Sequence, residues 1–240
     1  MTWYSTVKNL AKFKVGVDNV IFSVDTKQNR LLVLLVKRQQ EPFSGHWSLP
    51  GTLVRQQETL EKAAHRILAE KISVNSLYLE QLFTFDESEL DTTNEDESMA
   101  FCYLSISYFA LVRFEEAALI PEECSHANWF DLTDLPVLAF NQSQILDYGY
   151  RRLRSKLEYS PVAFEVLPDV FTLNDLYQLY TTILGENFAD YSNFRNRLLK
   201  LGFLVDTGVK VSPGTGRPAS LYRFDAKAFA PFKNKPLVFV

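Results

Sequence analysis

Leu49-Pro50-Gly51-Thr52-Leu53-Val54-Arg55-Gln56-Gln57-Glu58 runs without a break into Thr59-Leu60-Glu61-Lys62-Ala63-Ala64-His65-Arg66-Ile67-Leu68-Ala69-Glu70-Lys71. Spacing alone makes the second half a helix. Leu60, Ala63, Ala64, Ile67 and Leu68 fall at i, i+3, i+4, i+7 and i+8, a single apolar stripe. Glu58, Lys62, Arg66 and Glu70 follow at four-residue steps along another face. Two carboxylates and a guanidinium therefore accompany a helix that opens from a Pro-Gly turn. The plain reading of that ridge is a salt-bridged, solvated face.

With its entry Trp47-Ser48-Leu49-Pro50-Gly51, the stretch resembles the box of the Nudix hydrolases, G-x5-E-x7-R-E-U-x-E-E-x-G-U. In that family the box glutamates hold magnesium beside a diphosphate. Aligned on Glu58 and Arg66, the first glutamate and the arginine are present, and Glu70 survives. Thr52 stands at the box glycine, Ile67 at the glutamate after the arginine, Lys71 at the last glutamate and Ser73 at the closing glycine. Magnesium takes near-octahedral oxygen ligands, and neither an ammonium nor an aliphatic side chain supplies one. The resemblance implies a Nudix fold. The substitutions leave no catalytic set and no metal site.

The chain of 240 residues is long enough for one large or two small domains. Its 47% apolar and 14% aromatic content suits a soluble globular core. It has no run of about 18 uncharged apolar residues, so no membrane partner is expected. Met1-Thr2-Trp3-Tyr4 does not begin a signal peptide. Cys102 and Cys124 make no disulfide framework or metal pattern, which predicts a reduced, cytoplasmic setting. His46, His65 and His126 are scattered and read as non-metal residues. Charge is unevenly spread: residues 1–150 carry 12 Lys+Arg against 21 Asp+Glu, and residues 151–240 carry 13 against 8. The basic part is the one expected to face a polyanion.

In order, Lys12 to Val17 lead into an Asn19–Asp25 strand, and Leu31–Val36 form a second strand apolar enough to be buried on both faces. Leu77–Phe85 predict another. Asp86–Glu97 hold seven carboxylates in twelve residues, a solvated loop without coordination spacing. Ala100–Val112 and Asn128–Leu132 read as further strands. Asn141 is expected to cap a helix whose inner side is Ile145, Leu146, Gly149, Leu153 and Leu157. Arg151, Arg152, Arg154 and Lys156 load its last turns, where cations suit the helix dipole. Tyr159-Ser160-Pro161 mark the domain boundary, giving domains 1–158 and 159–240.

The second domain opens with a capping box, Thr172 capping and Asp175 three residues on. Leu173, Leu176, Leu179, Tyr180, Ile183 and Leu184 make a helical stripe that stops at Gly185. Asp190 caps the next helix, where Phe194, Leu198 and Leu201 form the buried seam. Asn193, Arg195, Asn196 and Lys200 then face out, with Arg197 on the flank. Phe203–Val209 and Ala219–Phe224 flank a basic, Gly/Pro-rich tip, a β-hairpin. Helix, helix and hairpin make a winged helix-turn-helix. Arg and Asn are the side chains that pair bidentately with guanine and adenine; Lys210 and Arg217 are placed for phosphate or minor-groove contact. A protein-binding winged helix is the competing reading.

Together the halves resemble the Nudix-related transcriptional regulators of NAD metabolism, the NrtR family, over nearly the whole chain. The matching residues are Trp47-Ser48-Leu49-Pro50-Gly51, Leu138-Ala139-Phe140, Phe171-Thr172-Leu173, Asn193-Phe194-Arg195-Asn196-Arg197 and Gly216-Arg217-Pro218-Ala219-x-Leu221-Tyr222. Two features depart from the family: Asn141 stands where an aspartate is expected, and loop 86–97 is acidic rather than basic. The resemblance implies an α+β chain, a Nudix α/β/α sandwich with a mixed sheet followed by the winged helix. It implies a homodimeric repressor of NAD-metabolism genes that needs no cofactor, binds a palindromic double-stranded operator and releases it on sensing ADP-ribose. By motif position Arg38, Trp47, Gly51, Arg55, Glu58, Arg66 and Glu70 form the effector site, with Gly51 admitting a diphosphate and the arginines nearest to it. The alternatives are an arabinose-type sugar-sensing regulator of a sister branch, and an active ADP-ribose hydrolase.

Overall fold

A computed structural model of the chain describes residues 13–72, 77–87, 102–113, 126–140, 142–185, 188–212 and 218–232. The central strand is β1 (Phe13–Asp25), which takes in the expected lead-in and strand as one element. Its side chains alternate between two cores: Val20, Phe22 and Val24 point to one face, Val17 and Ile21 to the other. β2 (Arg30–Lys37) pairs with it antiparallel and is buried at six consecutive positions. β3 (Trp47–Ser48) and β4 (Gly51–Leu53) frame the Pro50 turn, β3 on the end of β2 and β4 on Gly16–Asp18 of β1. These two short strands lacked a legible period in the sequence.

Helix α1 (Leu60–Ile72) follows, then β5 (Glu80–Glu87), β6 (Cys102–Val112) and β7 (Ala127–Asp131). β6 runs parallel to β1 from Phe13↔Cys102 to Ser23↔Val112, while the other strand pairs are antiparallel. The order is β3-β2-β1-β6-β5, with β4 on β1 and β7 on β2, a mixed sheet. β5 starts later than the sequence suggested: Leu77 and Leu79 pack on the α1 side of the sheet but stay out of the ladder. The acidic loop lies outside the described residues beyond Glu87, as does Asn141.

α1 covers one face with Ala63, Ala64, Ile67 and Leu68, and α2 (Gln142–Tyr159) covers the other with Ile145, Leu146, Leu153 and Leu157. Each fully buried Leu or Ile among them contributes about 1.5–3 kcal/mol. Gly149 sets how closely α2 lies on the sheet, because a Cβ there would be 3.0 Å from Val20 Cγ1. The result is the expected α/β/α sandwich.

α2 ends at Tyr159, the first residue of the expected Tyr159-Ser160-Pro161 break, and leads into α3 (Val162–Glu165) and β8 (Phe171–Thr172). α4 (Leu173–Leu184) begins at the capping box: Thr172 Oγ1 accepts from Asp175 N–H at 3.1 Å, and Asp175 Oδ2 from Thr172 N–H at 2.8 Å. α5 (Tyr191–Lys200) is capped by Asp190, whose Oδ1 accepts from Ser192 and Asn193 N–H. β9 (Leu204–Val211) and β10 (Ala219–Phe224) make the hairpin, and β8 adds a third strand on β10. α6 (Ala226–Phe229) and a 3-10 turn (Ala230–Phe232) close the domain. Leu201 departs from the expected seam: it is the C-cap of α5 and only half-buried. One apolar cluster runs unbroken from Val20 and Phe22 through Leu157 and Tyr180 to Phe194 and Phe229. No helix among the described residues is long and apolar enough to cross a membrane.

Candidate functional site

A cleft of about 600 Å³ opens where the end of β2, the Gly51 turn and α1 meet. Its walls carry Lys37, Arg38, Arg55, Arg66 and Lys71 against one carboxylate, Glu70; Gly51 and Thr52 line it as well. At Gly51 an added Cβ would lie 2.1 Å from Asp18 Oδ1 and 3.1 Å from Val17 O, so only glycine fits. The missing Cβ lets this wall of the cleft lie directly on β1.

The box residues are bound to one another. Arg66 donates from Nε to Glu58 Oε1 at 2.7 Å and from Nη2 to Glu58 Oε2 at 2.9 Å, a bidentate fork. Nη2 also reaches Leu53 O at 3.1 Å, and Nη1 reaches Thr52 Oγ1 at 3.4 Å. Gln57, left-handed at φ 63°, turns the chain so that Glu58 Oε2 also accepts from Arg55 N–H at 2.9 Å. The bonds from Arg66, then the one from the Arg55 backbone, hold the Glu58 carboxyl at about 2. The expected salt bridges are present, but the ridge is solvated only in part: Arg66 and Glu58 side chains are 15% and 13% exposed, whereas Glu70 is exposed. Arg55, by contrast, is 65% exposed and donates to Glu70 Oε1 at 3.3 Å. Lys62 is exposed.

Arg38 lies with its guanidinium 4.8 Å over the Phe140 ring, and its Nε donates to Pro42 O at 2.9 Å. Trp47 does not line the cleft: its ring packs edge-on against Phe130 at 4.7 Å, and its carbonyl accepts from Ala139 N–H. Glu58 likewise stands behind the cleft wall, supporting Arg66 and Arg55 rather than facing the space.

Three polar residues at this site escaped the sequence reading. Asp18, on β1 behind Gly51, accepts from the Ser105 hydroxyl and from Gln142 Nε2, the latter at 2.8 Å. Burial raises its carboxyl to about 6, against the hydrogen bonds and the charge of Arg38. Gln142 is buried and its Oε1 accepts from Leu49 N–H at 2.8 Å. Asn19 clamps the same turn, donating to Pro50 O and Ala64 O. Their partners lie 31 to 124 residues away, so no local spacing marked them. Among the described residues, no three His, Cys, Asp or Glu side chains gather as a metal set.

In the second domain Phe194 and Leu198 bury one side of α5, and Asn193, Arg195, Asn196, Arg197 and Lys200 are exposed on the rest. Asn193 is partly committed, its Nδ2 donating to Asp190 Oδ2 at 2.6 Å. Lys210 is exposed near the end of β9, opposite Ser220. Arg217 lies outside the described residues. The basic turns of α2 have particular partners as well as the helix dipole: Arg154 donates to the Tyr150 hydroxyl, and Lys156 pairs with Glu80.

Residues 12–152 match the NUDIX domain family, and residues 159–240 match the AraR C-terminal winged HTH domain. The ADPR responsive transcriptional repressor NtrR of Acinetobacter baylyi is 34% identical over 212 residues, 87% of this chain and 80% of that protein. The Shewanella oneidensis NrtR, solved in complex with a 27mer DNA, superposes with a TM-score of 0.74 at 32% identity, over 92% of this chain and 98% of that one. An ADP-ribose pyrophosphatase of Methanocaldococcus jannaschii is 31% identical over 135 residues, 56% of this chain and 72% of that protein.

Proposed function

Because the chain belongs to the NUDIX family, in the branch of the NtrR/NrtR repressors that carry a winged helix, we propose that it is a DNA-binding transcriptional repressor responsive to ADP-ribose. Residues 1–158 are the sensing domain and residues 159–240 the DNA-binding domain. The regulated genes are those of NAD metabolism, and the protein acts as a cytoplasmic homodimer on a palindromic operator. The observation that carries this reading is the charge of the cleft, five cations against Glu70 in the wall and the Glu58 that holds Arg66 from behind it. A diphosphate suits that balance. A magnesium ion does not, because Ile67 and Lys71 supply no oxygen, Glu58 is held by Arg66, and Glu70 is shared between Arg55 and Arg66.

Gly51, Arg38, Arg55, Arg66 and Glu70 are assigned to the effector, with Lys37 and Lys71 added; Glu58 and Trp47 act by holding the walls. Asn193, Arg195, Asn196, Arg197, Lys200, Lys210 and Arg217 are assigned to DNA. The likeness of the winged helix to the AraR domain keeps a sugar effector as a second reading. The cationic cleft speaks against it, since a neutral sugar gains nothing from five positive charges.

The test uses the full chain and a duplex that it selects from random DNA. ADP-ribose is expected to weaken binding to that duplex and L-arabinose to leave it unchanged. With magnesium, ADP-ribose should not be cleaved at ordinary enzyme rates of about 1 per second or more. Cleavage at such rates, or release by arabinose alone, would replace this reading with the corresponding alternative.

A further inference from the structure

The repressor reading leaves open how occupancy of the cleft reaches the DNA-binding face, and the following rests on that reading. Gln142 is the first residue of α2 and is 5% exposed. Its amide bridges two points directly behind the cleft wall: Oε1 holds Leu49 N–H, two residues before the cleft-lining Gly51, and Nε2 holds the Asp18 carboxylate packed against Gly51. α2 then runs for 18 residues, about 27 Å of rod. It is packed on the sheet along its length, through Ile145, Leu146 and Leu153, through Tyr148 stacked on Phe83 and through Lys156 paired with Glu80. Gly149 lies closest, against Val20. So held, α2 can shift only as a rod.

At its other end α2 grips the winged helix. The Leu157 carbonyl accepts from the buried Tyr180 hydroxyl at 3.1 Å, and the Tyr150 hydroxyl donates to Ile183 O at 3.0 Å. The Tyr180 ring lies 5.4 Å from that of Phe194, the fully buried anchor of α5. So a chain of direct contacts joins the Leu49–Gly51 turn to the helix that presents Arg195 and Asn196. Coupling between distant sites requires an element that both sites bias. α2 touches both.

We propose that Gln142 and Tyr180 are the positioning residues of a relay. A diphosphate entering the cleft displaces the Leu49–Gly51 turn, Gln142 transfers that shift to α2, and Tyr180 passes it to α5. A second bridge between the domains, Thr182 Oγ1 to Asn29 Oδ1 at 2.6 Å, leaves from the β1–β2 turn and does not touch the cleft. It serves as the control.

Operator affinity is measured for the full chain with and without saturating ADP-ribose, and calorimetry follows effector binding separately. The parent should lose on the order of 5- to 150-fold in operator affinity, the usual range of such coupling. Tyr180→Phe, which removes one hydroxyl, should bind operator and ADP-ribose as the parent does yet release operator by less than about twofold, below that range. Gln142→Leu should lose release in the same way, and Thr182→Val should keep the parental value. If Tyr180→Phe and any folded Gln142→Leu bind ADP-ribose and still release operator like the parent, the relay is overturned. If Thr182→Val loses release equally, the effect is general loosening between domains and the relay is also overturned. A parent that binds ADP-ribose without releasing operator, or does not bind it, overturns the functional reading and the relay with it.

Discussion

Arg66 and Glu58 meet as a planar fork, with two parallel hydrogen bonds of 2.7 and 2.9 Å across the mouth of the box loop. This pair fixes the loop on which the cleft depends, and its charge can be titrated. Glu58 ionises near 2 in the folded chain against 4.5 as a free side chain. Its contribution to stability is therefore complete above about 4.5 and is lost as pH falls through about 2. Glu58→Gln is expected to lower the melting temperature at neutral pH, with the gap to the parent closing between about 4.5 and 2. Thermal melts across that window check it, and a constant gap would count against the charge.

Asp18 works in the opposite direction. Its carboxyl is raised from 3.8 to about 6, so the ionised form is penalised on folding. Stability is full below 3.8 and falls as pH rises through about 6, by about 3 kcal/mol for a shift of this size. Asp18→Asn keeps an acceptor for Gln142 and is expected to gain on the parent as pH rises from 4 to about 7. Urea titrations at several pH values measure this, and parallel pH profiles would refute it.

Lys71 is exposed at the cleft, and no ion pair of its side chain is seen among the described residues. Lys71→Ala should therefore leave folding intact and weaken ADP-ribose by about 1.5–3 kcal/mol, the range for hydrogen bonds to charged groups. Calorimetric titration reads this as roughly a ten- to hundredfold rise in Kd. Unchanged affinity would move the diphosphate out of this cleft.

Arg195 and Lys210 should fail differently. Arg195 is exposed on α5, to one side of the buried Phe194 and Leu198, where a base edge can be read. Arg195→Ala is expected to cost about 1–3 kcal/mol and to relax preference at one position of each half-site. Lys210 sits beside the wing tip, so Lys210→Ala should weaken all sequences alike and flatten the salt slope by about one per half-site. A salt series of gel shifts on selected and random duplexes separates the two. Equal behaviour of both variants and the parent would make the winged helix a protein-binding module.

The helices and strands that local spacing specifies were legible in the residues. The stripe Leu60, Ala63, Ala64, Ile67, Leu68 is buried on α1, and Thr172, Asp175 and Asp190 cap where they were expected to. The Gly51 turn and the exposed Arg and Asn face of α5 were legible for the same reason. Each is decided within a few residues, by helical period, by a cap or by a missing Cβ. Motif position also named Arg38, Arg55 and Arg66 before any of them had a place in space.

Only the tertiary structure decided what those groups face. It closed Arg66 on Glu58, turned Trp47 to Phe130, and set Asp18 behind Gly51 under the amide of Gln142, 124 residues away. It also laid β6 parallel to β1 and joined the two domains through α2 and Tyr180. A sequence pattern shows which side chains share a face. It carries no record of which distant segment will cover that face, because packing and hydrogen bonding across the sheet are settled by contacts between parts of the chain that no period connects.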